Sequence, residues 1–263
     1  VVPQPNWRDD LRDFKKLGAP RLYFGVNSGA MDSMVNHYTA AKRLRSDDAY
    51  TPEGRAGQRP DYAVTVYTKI LKQIWPEVPV VIGGIEASLR RFTHYDYWQD
   101  CLKPSILVES GADWLCYGMG ERPMIELTKA IEAGRNLNDI RKIPQIGFYM
   151  DGRCRLKDAV ILNSFERCCK DKPAFAENFH VIETYANMMY PPVLVEPVGD
   201  GYVQINPTFP PATEKEMDAV WDLPFTKLPH PRYKGKHIPA FEMIKFSINT
   251  HRGCFGGCNF CTI

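Results

Sequence analysis

Hydrophobic positions in the first half of this chain alternate between short continuous runs and helical spacing. Apolar runs at 21–26, 78–84 and 114–117 each end at a loop that contains glycine, which is typical of buried strands. Apolar residues at helical spacing over 62–75 and 122–134, each stretch with proline near its start, predict two helices. Strand, glycine loop and helix in alternation predict an α/β fold with an open parallel sheet and flanking helices.

The pattern changes after about residue 140. Asp151-Gly152 and Asp200-Gly201 each lie between two strand-like arms, which predicts two β-hairpins. Between them, residues 164–189 have a helical composition that a proline divides. This part of the chain is therefore predicted to be mixed α+β.

A proline-rich stretch, 207–239, surrounds a short helix predicted near 214–221 and is typical of a connector. Residues 242–250 (EMIKFSINT) are predicted to form a last strand that leads into a cysteine-containing loop. We therefore divide the chain into a parallel-sheet domain (1–140), a hairpin and helix connector region (141–240) and a terminal part (241–263).

Composition narrows the class of protein only a little. Among 263 residues, 44% are hydrophobic and 24% are charged, which suits a folded chain with a proper core. A net charge of +2 gives no reason to expect a nucleic-acid partner. No run approaches the roughly 18 apolar residues of a membrane span, and no signal segment opens the chain, so we predict a cytoplasmic protein without a membrane partner.

A cytoplasmic location favours reduced cysteines, so that metal binding or catalysis is a better explanation of the eight cysteines than disulfides. Five of them show no spacing typical of metal ligands and are interpreted as core or incidental thiols. They are Cys101, Cys116, Cys154, Cys168 and Cys169.

The other three cysteines lie within eight residues of one another, in HRGCFGGCNFCTI (251–263). Spacings of three and two intervening residues let one loop present Cys254, Cys258 and Cys261 to three corners of an iron–sulfur cube, while the fourth iron stays open. Zinc is the alternative, with His251 completing a Cys3His site, although structural zinc sites usually bring their ligands as two separated pairs. A loop of free thiols is the third interpretation.

The C-x3-C-x2-C spacing, with the aromatic Phe260 just before the last cysteine, resembles the radical S-adenosylmethionine (SAM) superfamily motif. The resemblance extends to RLYFGVNSGAMDSMVNHYTAAKRLRSDDAY, PVVIGGIEASLRRFTHYDYW and FSINTHRGCFGGCNFC, which are similar to YgiQ-type radical SAM proteins. It implies that Cys254, Cys258 and Cys261 ligate a [4Fe-4S] cluster, that SAM chelates the fourth iron, and that Phe260 packs near the adenine.

The resemblance also implies an activity and partners. One electron from the cluster, supplied by a donor such as flavodoxin or ferredoxin, would cleave SAM to a 5′-deoxyadenosyl radical that takes hydrogen from a substrate that the sequence does not identify. The motif loop would follow the first strand of a partial α/β barrel, so we expect this chain to be an N-terminal fragment, cut at both ends and inactive alone. The alternatives are a zinc-stabilised binding module and an RNA-modifying enzyme similar to radical methylthiotransferases.

The predicted parallel sheet resembles the cobalamin-binding domain that precedes the barrel in many radical SAM enzymes, so cobalamin is a further candidate cofactor. The sequence has no D-x-H-x-x-G motif to supply a histidine ligand to cobalt, and the alternative is a scaffold without a cofactor. Glu86 and Glu121 follow strand ends, where they either contact a ligand or cap a helix. Residues 94–97 (HYDY) either face a substrate or form a buried hydrogen-bonded corner.

Overall fold

The computed structural model describes residues 1–249, in which helices lie on both faces of one central sheet. The strands are β1 (Phe24–Val26), β2 (Val80–Ile82), β3 (His94–Asp96), β4 (Cys101–Lys103), β5 (Trp114–Cys116), β6 (Ile146–Asp151), β7 (Val160–Ile161), β8 (Leu194–Val198) and β9 (Gly201–Ile205). The helices are α1 (Arg12–Lys15), α2 (Ser33–His37), α3 (Ala63–Ile74), α4 (Gly84–Leu89), α5 (Ile106–Ser110), α6 (Glu121–Glu132), α7 (Leu137–Ile140), α8 (Phe165–Lys170), α9 (Lys172–Ala186), α10 (Glu214–Trp221) and α11 (Pro239–Ile244). Short 3-10 turns occur at Pro52–Gly54 and Pro231–Tyr233.

Seven strands form the central sheet in the order β1-β2-β5-β6-β9-β8-β7, and β3 and β4 form a separate antiparallel pair. The pairs β1–β2, β2–β5 and β7–β8 are parallel. The pairs β5–β6, β6–β9 and β8–β9 are antiparallel. The predicted α/β class and the parallel arrangement of the first three strands are confirmed, and the whole sheet is mixed rather than purely parallel. The domain boundary placed near residue 140 falls between β5 and β6, which are neighbours in this sheet.

Alternate residues of the central strands pack into two cores on opposite faces of the sheet. On β2, Val80 and Ile82 belong to one core and Val81 to the other, because successive side chains of a strand point to opposite faces. The first core packs under α3 and α5, and the second contains Leu127 of α6 and Ile140 of α7. Both faces are covered, which explains why these strands have continuous apolar sequences.

The two helices predicted over 62–75 and 122–134 are confirmed as α3 and α6. In α3 the buried apolar side chains are Ala63, Val64, Tyr67 and Leu71, and Ile70 packs at the margin of the core. This face recurs at intervals of three and four residues, as helical periodicity requires. The division of 164–189 at its proline is also confirmed, since α8 and α9 meet there.

One of the two predicted hairpins is confirmed. Strands β8 and β9 pair from Leu194↔Ile205 to Val198↔Gly201 around a two-residue loop in which Gly199 has φ 57°. The hairpin predicted at Asp151-Gly152 is wrong, because β6 pairs with β9 rather than with the residues that follow it. Long-range pairing along the whole of β6 outweighs the local turn signal there.

The short helix predicted near 214–221 is confirmed as α10, which begins with a capping box between Thr213 and Glu216. The strand predicted over 242–250 is wrong in its described part, because residues 239–244 form α11 and residues 245–249 belong to no strand. Pro239 favours the helix, since it occupies the first turn, where its missing N–H costs nothing. Phe246 and Ile248, two apolar residues of the stretch predicted as a strand, are 90% and 86% exposed.

Within residues 1–249, none of the helices combines the length and the apolar character that a membrane crossing requires.

Candidate functional site

The loop after β1 enters α2 through a buried ion pair. Asp32 caps α2 by accepting hydrogen bonds from the N–H groups of Met34 (2.9 Å) and Val35 (3.2 Å). The same carboxylate accepts from both terminal nitrogens of Arg90, with Nη2 at 3.2 Å from Oδ1. The pair joins the first strand–helix loop to the end of α4. Because both residues are buried, removing either partner would leave the other as an uncompensated buried charge.

Glu86 lies in α4, just after the two glycines that follow β2, and it connects α4 to α2 and α3. Its side chain is fully buried, and its two oxygens accept hydrogen bonds from the N–H groups of Ser33 (2.8 Å) and Val64 (2.9 Å). These donors lie in the first turns of α2 and α3, where N–H groups have no intrahelical partner. Of the two roles predicted for Glu86, helix capping is the one that the structure shows.

Glu121 is the first residue of α6 and is half-buried. The preceding glycine loop after β5 is held in place by Gln145, whose Nε2 donates to the carbonyl oxygens of Tyr117 and Met119, each at 2.7 Å. The backbone N–H of Gln145 in turn donates to the carbonyl of Pro207 at 2.7 Å. The loop is thus tied to the return segment after β9.

Residues 94–97 form a corner that is hydrogen-bonded but only partly buried, since Asp96 is buried whereas Tyr95 and Tyr97 are 49% and 43% exposed. His94 Nδ1 lies 3.1 Å from the carbonyl oxygen of Phe92, and burial lowers the pKa of this histidine to about 4. Asp96 accepts the N–H of Gln99 at 2.8 Å, and the hydroxyl of Tyr97 donates to the carbonyl of Ala40 at 2.6 Å. A neutral histidine in this setting is a structural element of the β3–β4 corner.

A cavity of about 300 Å³ opens beside the end of α2. We call it the His37 cavity and define it by six of its lining residues, Asn36, His37, Arg45, Asp48, Arg59 and Asp61.

An aspartate orients the imidazole in this cavity. His37 Nδ1 lies 2.8 Å from Oδ1 of Asp61, and the hydroxyl of Tyr38 donates to Oδ2 of the same carboxylate at 2.7 Å. This carboxylate raises the pKa of Tyr38, chiefly through that hydrogen bond. Two donors on one carboxylate hold the imidazole in a fixed orientation, an arrangement that also serves metal-binding and catalytic histidines.

Arg59 lines the His37 cavity as one half of a buried ion pair. Its Nη2 pairs with Asp48 at 2.9 Å and its Nη1 donates to the carbonyl of Ser28 at 2.8 Å, and both charged side chains are buried. The sequence interpretation missed Arg59, Asp48 and Asp61 as site residues. A buried-charge cluster of this kind has no local sequence signal, because Ser28, Asp48 and Arg59 meet only after the loops fold together.

The segment that leads toward the cysteine loop docks beside this cavity. The N–H of Glu53 donates to the carbonyl of His237 at 2.7 Å, and the N–H of His237 donates to Oε1 of Glu53 at 3.0 Å. The N–H of Ala240, in α11, donates to the carbonyl of Ala49 at 2.8 Å. The loop that contributes Asp48 to the cavity therefore also anchors α11.

The predicted cluster ligands Cys254, Cys258 and Cys261, together with Phe260, lie outside the described residues. Over residues 1–249, no three histidine, cysteine or acidic side chains gather in a way that could hold a metal ion. The five remaining cysteines are free thiols. Cys116 and Cys168 are buried, Cys154 is half-buried, and Cys101 and Cys169 are exposed.

Comparison with known proteins relates the whole chain to one group. The family described as Radical SAM N-terminal matches residues 1–247. A UPF0313 protein of Porphyromonas gingivalis is 56% identical over 266 residues, covering 100% of this chain and 42% of the relative. UPF0313 proteins of Bacteroides thetaiotaomicron and Geobacter sulfurreducens are 53% and 48% identical, again over 100% of this chain and over 44% and 43% of their own lengths. The chain thus spans less than half of these relatives, and no solved structure matches it.

Proposed function

The chain belongs to the Radical SAM N-terminal family, and we propose that it supplies the cluster-binding loop of a radical SAM enzyme of the UPF0313 group. The resemblance to YgiQ-type proteins is confirmed by this membership. One observation carries the proposal: the C-x3-C-x2-C spacing of Cys254, Cys258 and Cys261 directly follows the family-matched residues 1–247.

The chemistry of the donor set supports a cluster held by these three residues. Thiolates, rather than thiols, bind iron and zinc. Burial raises the pKa of Cys116 to about 12 and the pKa of Cys168 to about 11, so that both stay protonated near neutral pH and are poor ligands. The terminal trio has the spacing and the intervening glycines that a loop around a cluster needs.

A bound [4Fe-4S] cluster with SAM would supply reductive cleavage of SAM, and the residues of this chain would position that chemistry. Cys254, Cys258 and Cys261 would hold three irons, and Phe260 would pack against the adenine. Docking of α11 through Ala240 would fix where the loop begins. An electron donor such as flavodoxin or ferredoxin, an RNA-modifying role and cobalamin stay predictions from the sequence.

Anaerobic reconstitution with iron and sulfide tests the proposal. We expect the 263-residue chain to become brown and to show charge-transfer absorption that Cys258→Ala largely removes. Cys169→Ala is the matched control, because Cys169 is an exposed thiol outside the motif, and it should leave the absorption unchanged. Equal absorption in Cys258→Ala and the unmodified chain would contradict the proposed ligands, and stoichiometric zinc in aerobically purified protein would support the zinc-module alternative.

A further inference from the structure

Arg91, just after α4, is a half-buried cation without a carboxylate partner in residues 1–249. Burial lowers the pKa of Arg91, and among the described residues only Tyr117 opposes this shift. Two other cations with little exposure, Arg59 and Lys103, lie 2.9 Å and 3.1 Å from a carboxylate oxygen. A guanidinium that has lost part of its water without gaining a carboxylate is costly, so Arg91 is a candidate for binding an anion from outside this part of the chain.

Two neighbouring segments hold the guanidinium of Arg91 in place. Its Nη1 donates to the carbonyl of Ser88, in α4, at 2.7 Å, and its Cζ lies 5.2 Å from the ring centre of Tyr117, which directly follows β5. The Tyr117 hydroxyl is itself fixed, since it donates to the carbonyl of Asn206 at 2.6 Å. The N–H of Gly118 donates to Oγ of Ser88 at 3.3 Å. Arg91 therefore lies where the segments after β2 and β5 meet, and ligands of open α/β sheets bind beyond such strand ends.

One edge of this guanidinium is open to a ligand. The Nε–H and Nη2–H groups lie side by side on that edge, and neither donates to an acceptor in the described part of the chain. Neither nitrogen is among the buried polar atoms that lack a partner, so both reach solvent. Two parallel N–H groups of arginine match the two oxygens of a carboxylate, and this two-point contact is stronger and more specific than a single hydrogen bond.

The surroundings of Arg91 favour a ligand with one negative charge and an apolar part. No lysine, arginine or carboxylate of residues 1–249 shifts the pKa of Arg91, and this includes Glu121, which begins α6. One guanidinium balances one carboxylate, whereas a phosphate monoester carries about two negative charges near neutral pH. Leu89 at the end of α4 and Met119 in the loop after β5 are exposed, so that apolar surface lies in the same two segments.

We propose that Arg91 binds the carboxylate of a small organic acid with an apolar body, through its Nε–H and Nη2–H groups. The bond to Ser88 and the ring of Tyr117 hold the guanidinium ready for this contact. The site is formed within residues 88–118 and does not require the proposed cluster, so either proposal can fail alone.

Three probes with the same ring test the charge and the shape of the ligand group. Benzoate carries a carboxylate, benzamide is its neutral counterpart, and phenyl phosphate carries the larger charge. Ligand-observed NMR titration of the 263-residue chain, at constant ionic strength and up to about 20 mM probe, should show benzoate binding at least about tenfold tighter than benzamide and about threefold tighter than phenyl phosphate. Absence of benzoate binding, equal binding of benzamide, or tighter binding of phenyl phosphate overturns the proposal.

Substitutions locate the site. Arg91→Gln removes the charge and should weaken benzoate binding by at least about tenfold. Arg141→Gln is the matched control and should leave it unchanged, because Arg141 is also half-buried and lies beside a ring, with its Cζ 5.7 Å from the ring centre of Phe148.

A second variant keeps the proposal testable should Arg91→Gln unfold the chain. Arg91→Lys retains the positive charge and a donor for the Ser88 carbonyl but lacks the two parallel N–H groups, so benzoate binding should weaken about threefold or more. Unchanged benzoate affinity in Arg91→Lys and in any folded Arg91→Gln protein, or an equal loss in Arg141→Gln, overturns the proposal and leaves Arg91 with only the hydrogen bond to the end of α4.

Discussion

A buried carboxyl group on β8 predicts how the stability of this chain depends on pH. Glu196 is 1% exposed and accepts one hydrogen bond, from the N–H of Thr93 at 2.8 Å. Its other oxygen, Oε1, is buried without a partner in residues 1–249. Desolvation is the main cause that raises the pKa of Glu196 to about 7, with the nearby charge of Glu166 adding to it and the hydrogen bond from the Thr93 N–H opposing it.

The sign and the size of the change in stability with pH follow from the different proton affinities of Glu196 in the folded and the unfolded chain. The unfolded chain releases the Glu196 proton near pH 4.5, the ordinary value, whereas the folded chain keeps the proton until about pH 7. Its contribution to stability is therefore fully present below pH 4.5 and is lost as the pH rises through 7. The difference between the two pKa values corresponds to about 3 kcal/mol of unfolding free energy.

Glu196→Gln keeps the shape of the side chain and removes the titration. We expect urea unfolding, followed by circular dichroism, to show that the stability of the variant relative to the unmodified chain rises by about 3 kcal/mol between about pH 4 and pH 8. Glu77→Gln, at an exposed position, is the matched control and should show no such change. A constant difference between Glu196→Gln and the unmodified chain across this range would refute the reasoning.

Three further predictions concern the fold and the activity. Glu86→Gln should destabilise the chain by about 1–3 kcal/mol in urea unfolding, because the new amide nitrogen faces a helix N–H that needs an acceptor. A loss of stability no larger than that of the Glu77→Gln control would contradict this prediction. Gly201→Ala should lower the thermal midpoint, since its Cβ would overlap the backbone oxygen of Met150, whereas Gly25→Ala meets no atom within 4 Å and should be nearly neutral; equal midpoints would contradict the clash. Because the 263-residue chain spans less than half the length of its relatives, we expect it to form no 5′-deoxyadenosine from SAM after reconstitution and reduction, and clear turnover in chromatographic analysis would contradict that expectation.

Elements with strong local signals could be predicted from the sequence. Helix α10 begins at a capping box formed by Thr213 and Glu216, and both partners are visible within four residues of sequence. The hairpin of β8 and β9 has a two-residue loop between strands of matching length. In both cases the interactions that favour the element are made between residues that are close together in the sequence.

Elements decided by distant contacts could not be predicted. The Asp151-Gly152 signal fails because β6 finds its partner in β9, far along the chain. Apolar residues before the cysteine loop suggest a strand, but Pro239–Ile244 form a helix that docks on the distant loop at Ala49. The His37 cavity has the same origin, since Asp61 approaches His37 of α2, and Arg59 approaches Ser28 in the loop before α2, only in the folded chain.

Central to the proposed function is a four-iron cluster in the terminal cysteine loop. The most direct measurement is metal and acid-labile sulfide analysis of the 263-residue chain after production and purification without oxygen. We predict iron and sulfide in equal amounts, approaching about four of each per chain. One zinc per chain, or no metal at all, would contradict this prediction.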